Sequence, residues 1–146
     1  MLYLGADHAG YNLKQEIKKE LKELGIEYND LGNKEFEPKD DYPDFALEVS
    51  KKVFENNNNK GILFCATGIG MCITANKIKG IRATICCNEF MAKQAVEHNN
   101  VNILCLGGKV LDLETAKKII KIWLKTEFTG EERHIRRLEK IKNIEK

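Results

Sequence analysis

The chain lacks a strong excess of either charge, a long apolar run and a secretion signal. Its 24 basic and 22 acidic side chains give a formal charge of +2, which argues against nucleic acid or an anionic membrane as the main partner. The longest uncharged run, residues 61–76, is shorter than the ~20 apolar residues of a membrane helix. Residues 1–7 have no basic region ahead of an apolar stretch. These absences predict a soluble cytoplasmic protein.

The cysteines and histidines also lack the spacing of a metal or disulfide framework. Five cysteines are an odd number, none forms a Cys-x-x-Cys pair, and the three histidines stand at no tight spacing from them. Reduced thiols in a reducing compartment explain this usage best. We therefore expect neither a structural metal nor a cofactor.

Apolar strands alternate with amphipathic helices along the chain, without a linker, repeat or change in composition. Strands are predicted at residues 2–4, 26–31, 61–65, 81–86 and 101–106, and the intervening helices at about 13–24, 43–55, 69–78, 89–97 and 113–124. This alternation is typical of one α/β domain, residues 1–146. We expect a mainly parallel five-stranded sheet in a three-layer, Rossmann-like arrangement.

The last segment, residues 130–146, is very polar but contains a narrow apolar seam. Ile135, Leu138, Ile141 and Ile144 follow one another at three-residue spacing. Such a terminal helix is expected to lie across a partner subunit rather than to complete its own core. The pattern therefore predicts a homodimer.

The most informative stretch is an apolar strand, residues 61–65, that runs directly into a glycine-bearing turn and a helix. Cys65 and Thr67 lie at this junction, where the carboxyl end of a parallel strand faces the ligand crevice. The backbone at Gly68 and Gly70 can approach a ligand closely, and the first helical amides can bind an anion or a developing oxyanion. The segment thus places a nucleophile or base beside an anion cradle.

Other interpretations of this stretch remain open at this point. Cys65 could be a buried packing residue, because free cysteines are among the most buried side chains. The turn lacks the Gly-Lys-Ser/Thr end of a phosphate-binding loop and the third glycine of a dinucleotide fingerprint, which leaves only weak support for a nucleotide-binding module. A thiol redox sensor that uses Cys65 and Cys72 is a further alternative.

Polar residues are expected to meet at the carboxyl end of the sheet, where a thiol, imidazoles, a carboxylate and a cation suit proton transfer on an anionic small molecule. They are Asp7, His8, Cys65, Thr67, His98, Asn99 and Lys109. Arg133 and Arg137, four residues apart on the last helix, could clamp a phosphate. Alternatively, these arginines are only part of a solvated helix face.

The chain resembles the ribose-5-phosphate isomerase B family, which includes the galactose-6-phosphate isomerases. The resemblance covers nearly the whole chain in order. It is carried by Gly5-Ala6-Asp7-His8-Ala9-Gly10, Asp41-Tyr42-Pro43-Asp44, Cys65-Ala66-Thr67-Gly68-Ile69-Gly70, Ala75-Asn76-Lys77, Gly80-Ile81-Arg82-Ala83, His98-Asn99 and Arg133-His134-Ile135-Arg136-Arg137.

The resemblance implies a metal-independent isomerase that interconverts ribose 5-phosphate and ribulose 5-phosphate through an enediolate. Cys65 then resembles the base that moves a proton between carbons 1 and 2, His98 the residue that opens the sugar ring, and Asp7 a group that manages hydroxyl protons. The same resemblance assigns the other positions. Thr67 and the backbone of Ala66, Gly68, Ile69, Gly70 and Met71 hold the enediolate, His8, Lys109, Arg133 and Arg137 bind phosphate, and Tyr42 and Asn99 line the sugar.

The resemblance also implies a crevice between two subunits, in which His98 and Asn99 of one chain meet Cys65 of the other. The assembly is then a homodimer, or a tetramer of two such dimers. This sequence has Ala66 where many members have glycine, and Lys109 where arginine is common, which gives up bidentate phosphate geometry. A six-carbon substrate, allose or galactose 6-phosphate, is the close alternative, because one more carbon is a matter of pocket depth.

Overall fold

The chain forms one all-parallel, five-stranded sheet flanked by six helices in a computed structural model that describes residues 1–145. The strands are β1 (Leu2–Ala6), β2 (Tyr28–Asp30), β3 (Lys60–Cys65), β4 (Ala83–Ile85) and β5 (Ile103–Gly107). The helices are α1 (Tyr11–Glu23), α2 (Tyr42–Phe54), α3 (Ile69–Ala75), α4 (Glu89–Asn99), α5 (Leu113–Lys125) and α6 (Glu132–Lys142). The predicted α/β class and strand number are confirmed, and the sheet is entirely rather than mainly parallel.

The strand order β2-β1-β3-β5-β4 creates a crevice between β1 and β3. The chain passes from β1 to β2 on one side and returns to β3 on the other, so the flanking connections diverge at the carboxyl ends of these strands. Helices α1, α4 and α5 pack on one face of the sheet, and α2 and α3 pack on the other. The three layers therefore leave an opening at the carboxyl edge.

Alternate strand residues point to opposite faces, so each central strand contributes to two cores. Leu4, Ile62 and Leu104 lie in the core under α1, α4 and α5, whereas Leu63 and Ile103 lie in the core under α2 and α3. Cys65 belongs to the second core. Its side chain is therefore on the α2 and α3 side of the sheet.

The helix and strand ends differ from prediction where side chains intervene. Helix α3 ends at Ala75 rather than Ile78, because the Asn76 side chain hydrogen-bonds both the N–H and the carbonyl of Ala83 at 2.8 and 2.9 Å. That pairing also moves the start of β4 to Ala83. Helix α1 ends at Glu23 rather than Leu24, and Leu24 is 46% exposed beyond the helix end.

Helix α6 lies outside both cores and rests against α4. The Glu145 carboxylate after this helix accepts a hydrogen bond from the Gly80 N–H at 3.0 Å. Ile135, Ile141 and Ile144 remain 47%, 45% and 76% exposed. The predicted docking of this helix on a partner stays a prediction. Among residues 1–145, no helix has the length and apolar character needed to span a bilayer.

Candidate active site

The crevice brings the ends of β1 and β3 side by side. Ala6 is level with Phe64 in the parallel pair, and the Asp7 N–H donates to the Phe64 carbonyl at 3.2 Å. Asp7 and Cys65 thus lie at the same level at the carboxyl ends of neighbouring strands, and adjacent strands are ~4.8 Å apart. The sequence prediction that these two residues share one edge is confirmed.

The Cys65 thiol is buried beneath the turn that opens α3. Its Sγ accepts a hydrogen bond from the Gly68 N–H at 3.0 Å, and only 5% of the residue is exposed. Gly68 has φ +85°, a conformation that glycine adopts without steric cost, and this conformation aims the amide back at the sulfur. The hydrogen bond fixes the position of the sulfur beneath the turn.

Thr67 and the following amides form the wall above the thiol. Thr67 is exposed, and its Oγ1 accepts a hydrogen bond from the Ile69 N–H at 3.2 Å. The Gly70 backbone lies against the Tyr42 ring, because a Cβ on this glycine would approach the ring to 2.6 Å. The wall therefore presents a hydroxyl and backbone amides beside a phenol, a surface suited to an oxyanion on a polyol.

The loop after β5 closes the other side of Cys65. The Gly108 N–H donates to the Cys65 carbonyl at 2.7 Å, and the Lys109 N–H donates to the Ala66 carbonyl at 2.9 Å. A Cβ on Gly107 would lie 2.8 Å from the Thr67 backbone, so only glycine fits this approach. The loop leaves Lys109 exposed at the carboxyl edge.

The turn after β1 adds a carboxylate and an imidazole to the crevice. Asp7 is 5% exposed, and its Oδ1 accepts the Gly10 N–H at 3.0 Å. His8 Nδ1 lies 2.8 Å from Asp40 Oδ1, and this hydrogen bond raises the pKa of His8 above its ordinary value. His8 is thus favoured as a cation beside the site.

Sequence reasoning missed Asp40 and Asn33, which lie behind His8. The Asn33 side-chain amide donates to the second carboxylate oxygen of Asp40. Both residues belong to a charged loop without periodicity, and such a loop carries no sequence signal for which of its acids faces the site.

One cluster at this edge has the composition of a cation site. Ligand atoms of Asp7, His8 and Asp40 lie within 4.8 Å of one another. His8 and Asp40 already hydrogen-bond each other, and Asp7 accepts a backbone amide. We therefore assign these atoms to hydrogen bonds within the chain.

His98 and Asn99 lie at the opposite edge of the sheet, so the prediction that they join the carboxyl-edge residues of the same chain is wrong. They end α4, which leads into the amino end of β5. Cys65 pairs with Gly107 at the carboxyl end of that strand. The four residue-to-residue steps from 103 to 107 alone separate the two ends by ~13 Å. A helix that precedes a strand necessarily delivers its carboxyl end to the strand's start.

The amino edge carries its own cluster, formed by α4 and α6. The His98 and His134 rings stack with centroids 4.2 Å apart and an angle of 15° between their planes. Burial lowers the pKa of His134, and the adjacent His98 lowers it further. Arg133 and Arg137 are exposed on the same helix, with the Arg133 Nε 2.9 Å from Glu131. Sequence reasoning assigned no role to His134, although it lies within the quoted arginine motif.

The thiol contacts do not support a Cys65–Cys72 redox pair. A hydrogen bond between Cys72 and Cys105 lowers the pKa of Cys72 to about 7, and the same contact together with burial raises the pKa of Cys105. Cys65 instead accepts the Gly68 amide. Cys65 and Cys72 thus have different hydrogen-bond partners, and these contacts give the redox alternative no support.

Comparisons with known proteins agree with this geometry. The family model described as Ribose/Galactose Isomerase matches residues 2–141. The structure of ribose-5-phosphate isomerase B from Clostridium thermocellum superposes with a TM-score of 0.94 at 46% identity, covering 99% of this chain and 96% of that one. The enzyme of the same name from Mycoplasma genitalium, solved with bound ribulose 5-phosphate, gives 0.94 at 41% identity, covering 99% and 95%.

Relatives named for another activity are also similar to this chain. The D-erythrulose-4-phosphate isomerase of Pectobacterium atrosepticum is 39% identical over 127 residues, covering 87% of this chain and 84% of the relative. The similar proteins thus include isomerases named for a five-carbon and for a four-carbon sugar phosphate.

Proposed function

Since this chain is a member of the ribose/galactose isomerase family, we propose that it interconverts ribose 5-phosphate and ribulose 5-phosphate without a metal ion. The single observation that carries the proposal is the buried Cys65 thiol, held by the Gly68 amide between Asp7 and the loop of residues 107–109. A base at this place has an oxyanion cradle on one side and a carboxylate on the other. That set suits a proton shift between two carbons of a sugar phosphate.

Cys65 acts as the base on the opened sugar. Its thiolate removes the proton from carbon 2 of the aldose, and the electron pair moves onto the carbonyl oxygen at carbon 1 to give the enediolate. The thiol then returns the proton to carbon 1, while a proton passes from the oxygen on carbon 2 to the oxygen on carbon 1. The product is the ketose, and no proton is gained or lost overall.

Thr67, Asp7 and the turn amides manage the charge on the two oxygens. The Gly68 and Ile69 amides already donate to Cys65 Sγ and Thr67 Oγ1. The next amides of the turn, at Gly70 and Met71, and the Thr67 hydroxyl stabilise an oxyanion that exists mainly in the transition state, where such donors accelerate the reaction. Asp7 lies beside Cys65 across the β1–β3 pair and is placed to carry the proton between the oxygens. Tyr42 lines the sugar on the α2 side.

The phosphate is bound at the cationic rim of the site. His8, with its raised pKa, and Lys109 supply positive charge from the carboxyl edge. Arg133 and Arg137 have the fork geometry that suits phosphate, but they lie at the amino edge of their own chain. They can contribute only if a second chain brings its amino edge to this crevice.

A two-fold homodimer supplies that arrangement. Ile69 and Ile73 of α3 and Phe90 of α4 are 54%, 58% and 72% exposed, and a partner chain would cover such apolar side chains. If the two chains are antiparallel across an isologous interface, the carboxyl edge of each chain meets the amino edge of the other. His98 and Asn99 of one chain then complete the site of Cys65 in its partner.

The first experiment is turnover of ribose 5-phosphate by the purified protein in the presence of a chelator. We expect ketose formation that falls by about 10²–10⁴-fold in Cys65→Ala, the range for loss of a general base. Cys87→Ser is the matched control, because Cys87 is an exposed thiol. Circular dichroism and sedimentation verify that each variant folds and assembles. Turnover by Cys65→Ala equal to that of the wild type would remove Cys65 from the mechanism.

The length of the sugar is decided by a panel of substrates. D-Erythrulose 4-phosphate, ribose 5-phosphate and allose or galactose 6-phosphate differ by one carbon each, and a pocket discriminates such pairs by about 10–200-fold per methylene-sized step. We expect the highest kcat/KM with ribose 5-phosphate. Turnover of a four- or six-carbon substrate alone would keep the isomerase chemistry and change the substrate.

A further inference from the structure

The segment between β2 and α2 is fastened beneath the His8 turn. The Ala6 N–H donates to the Gly32 carbonyl at 2.8 Å, and the Asn33 N–H donates to the Ala6 carbonyl at 3.1 Å. Lys14, whose side chain is fully buried, donates to the Asn33 carbonyl at 2.6 Å. These hydrogen bonds fix the backbone at Asn33 next to the end of β1.

Asp40 is held between Asn33 and His8 through both of its oxygens. Its Oδ2 accepts from the Asn33 side-chain amide. Its Oδ1 accepts from the His8 backbone N–H at 2.9 Å and lies 2.8 Å from His8 Nδ1. Only 9% of the Asp40 side chain is exposed. The carboxylate is thus built into the structure rather than free in solvent.

The contact determines which ring nitrogen of His8 is available to a ligand. A carboxylate on Nδ1 requires the proton there, so Nε2 is directed away from Asp40. The His8 side chain is 40% exposed. Two carboxylates face this imidazole, Asp40 through the hydrogen bond and Asp7 through space, and both raise its pKa. His8 therefore presents an Nε2–H donor to solvent at the rim of the crevice.

We propose that Asp40 is a positioning residue for phosphate binding: it accepts from His8 Nδ1–H, fixes the ring orientation and stabilises the imidazolium, so that Nε2–H donates to the substrate phosphate. This inference rests on the proposed function, in which His8 is a phosphate ligand. Asp40 itself touches no reacting atom. Its effect reaches the substrate through His8, with Asn33 holding the carboxylate in place.

Titration of the His8 ring by nuclear magnetic resonance tests the contact directly. The signal is identified by its absence in His8→Asn. In Asp40→Asn we expect the His8 pKa to fall from its raised value toward the ordinary ~6.5. Glu35→Gln is the control, because Glu35 is an exposed acid on the same loop, and it should leave the His8 pKa unchanged. A His8 pKa equal in Asp40→Asn and wild type would overturn the proposal.

The kinetic consequence is a change in KM rather than kcat, because the phosphate does not react. We expect Asp40→Asn to raise KM and the inhibition constant of inorganic phosphate by about tenfold, as for weakening one charge-assisted hydrogen bond. Above pH ~6, where the phosphate is a dianion, KM should begin to rise at lower pH in the variant. The arginines proposed for the same phosphate stay charged throughout. A loss of kcat at unchanged KM would contradict the positioning role.

Two further variants keep the test decisive if Asp40→Asn does not fold. Asp40→Glu retains the carboxylate and should restore part of the His8 pKa and of the phosphate affinity. Asn33→Ala removes only the group that holds Asp40 and should move both quantities in the same direction by a smaller amount. If Asn33→Ala leaves the His8 pKa at its wild-type value, or Asp40→Glu leaves it at the ordinary ~6.5, the proposal is wrong.

The two proposals fail in different ways. If the wild type turns over no sugar phosphate, the proposed function fails. The positioning role of Asp40 is then tested separately, by the His8 titration and by the binding of inorganic phosphate. If turnover is normal but Asp40→Asn changes neither His8 nor KM, the positioning role fails and the isomerase stands.

Discussion

The two edges of the sheet differ in how completely one chain builds them. At the carboxyl edge, Asp7 and Cys65 are each 5% exposed and each accepts a backbone amide. At the amino edge, Arg133, Arg137 and Asn99 are exposed. Groups that move protons need fixed geometry, whereas groups that capture a charged ligand need access. The difference supports the proposed homodimer, in which the amino edge of one chain completes the site at the carboxyl edge of its partner.

The two edges also shift the pKa values of their histidines in opposite directions. Asp40 raises the pKa of His8, while burial lowers the pKa of His134. One imidazole is therefore held ready as a cation and the other is kept neutral against His98. The following experiments test this division between the edges.

The largest effect comes from mixing two inactive variants. Cys65→Ala and His98→Asn each lose about 10²-fold or more of the turnover. If each site joins the carboxyl edge of one chain to the amino edge of its partner, a heterodimer of the two variants contains one intact site. An equimolar mixture, refolded or co-expressed, should then recover about a quarter of wild-type turnover, because half of random dimers are mixed.

The control for that mixture is wild type with Cys65→Ala, which should give about half of wild-type turnover by the same dimer statistics. A mixture of the two variants that stays inactive would contradict a site shared between chains, whereas wild-type turnover by His98→Asn alone would remove His98 from the reaction.

A smaller effect is expected from the phosphate arginines at the amino edge. Arg137→Ala should raise KM by about 10–100-fold, the value of a lost charge-assisted hydrogen bond, with a smaller change in kcat. Arg136→Ala is the matched control, since Arg136 is exposed on the same helix but does not share the i, i+4 face of Arg133 and Arg137. Equal KM values for the two variants would mean that Arg133 and Arg137 are only part of a solvated helix face.

The close packing at the carboxyl edge can be broken by a single methyl group. In Gly107→Ala the Cβ would lie 2.8 Å from the Thr67 backbone, and the strain should cost about 1–3 kcal/mol of unfolding free energy and reduce turnover. Gly25→Ala, at the end of α1 with φ +68° and open space around it, should cost about 1–2 kcal/mol and keep full turnover. Wild-type stability and turnover in Gly107→Ala would show that the β5 loop is not packed on Thr67.

The smallest expected effect is on the pH dependence of stability. Because the folded pKa of His134 is lowered, the unfolded chain binds the proton better, and stability falls as the pH drops below the unfolded value of ~6.5. His134→Phe retains a ring against His98 and removes this titration. The melting temperature of His134→Phe minus that of wild type should therefore increase as the pH falls from 7.5 to 5.5, at one fixed protein concentration.

His8→Asn provides the comparison of opposite sign. The folded pKa of His8 is raised, so its contribution is complete below the unfolded pKa and is lost as the pH rises through the folded value. The stability deficit of His8→Asn should therefore be greatest at acidic pH. Parallel curves of melting temperature against pH for wild type and both variants would mean that folding shifts the pKa of neither histidine.

Local patterns predicted the elements and half of the site. Alternating apolar strands and helices identified the α/β class and the number of strands. Cys65, Thr67, Gly68 and Asp7 could be predicted, because each lies within a few residues of a strand end and the end itself is read from apolar periodicity.

Contacts between distant segments could not be predicted. Asp40 meets His8 from 32 residues away, and His134 meets His98 across the space between α4 and α6. Neither contact leaves a periodic trace, because each depends on one side chain in an irregular segment or at a helix end. The error over His98 and Asn99 has the same origin, since their place follows from which end of α4 meets the sheet.

The sequence by itself determined the kinds of chemistry available: a thiol at a strand end, glycines where the backbone turns, and arginines one helical turn apart. Only the tertiary structure decided which of these groups meet. Strand order places Asp7 beside Cys65, and the loop before α2 brings Asp40 to His8, while helix direction sends His98 to the far edge. The physical reason is that propensity and periodicity act over a few residues, whereas burial and hydrogen bonding select among distant segments when the whole core forms.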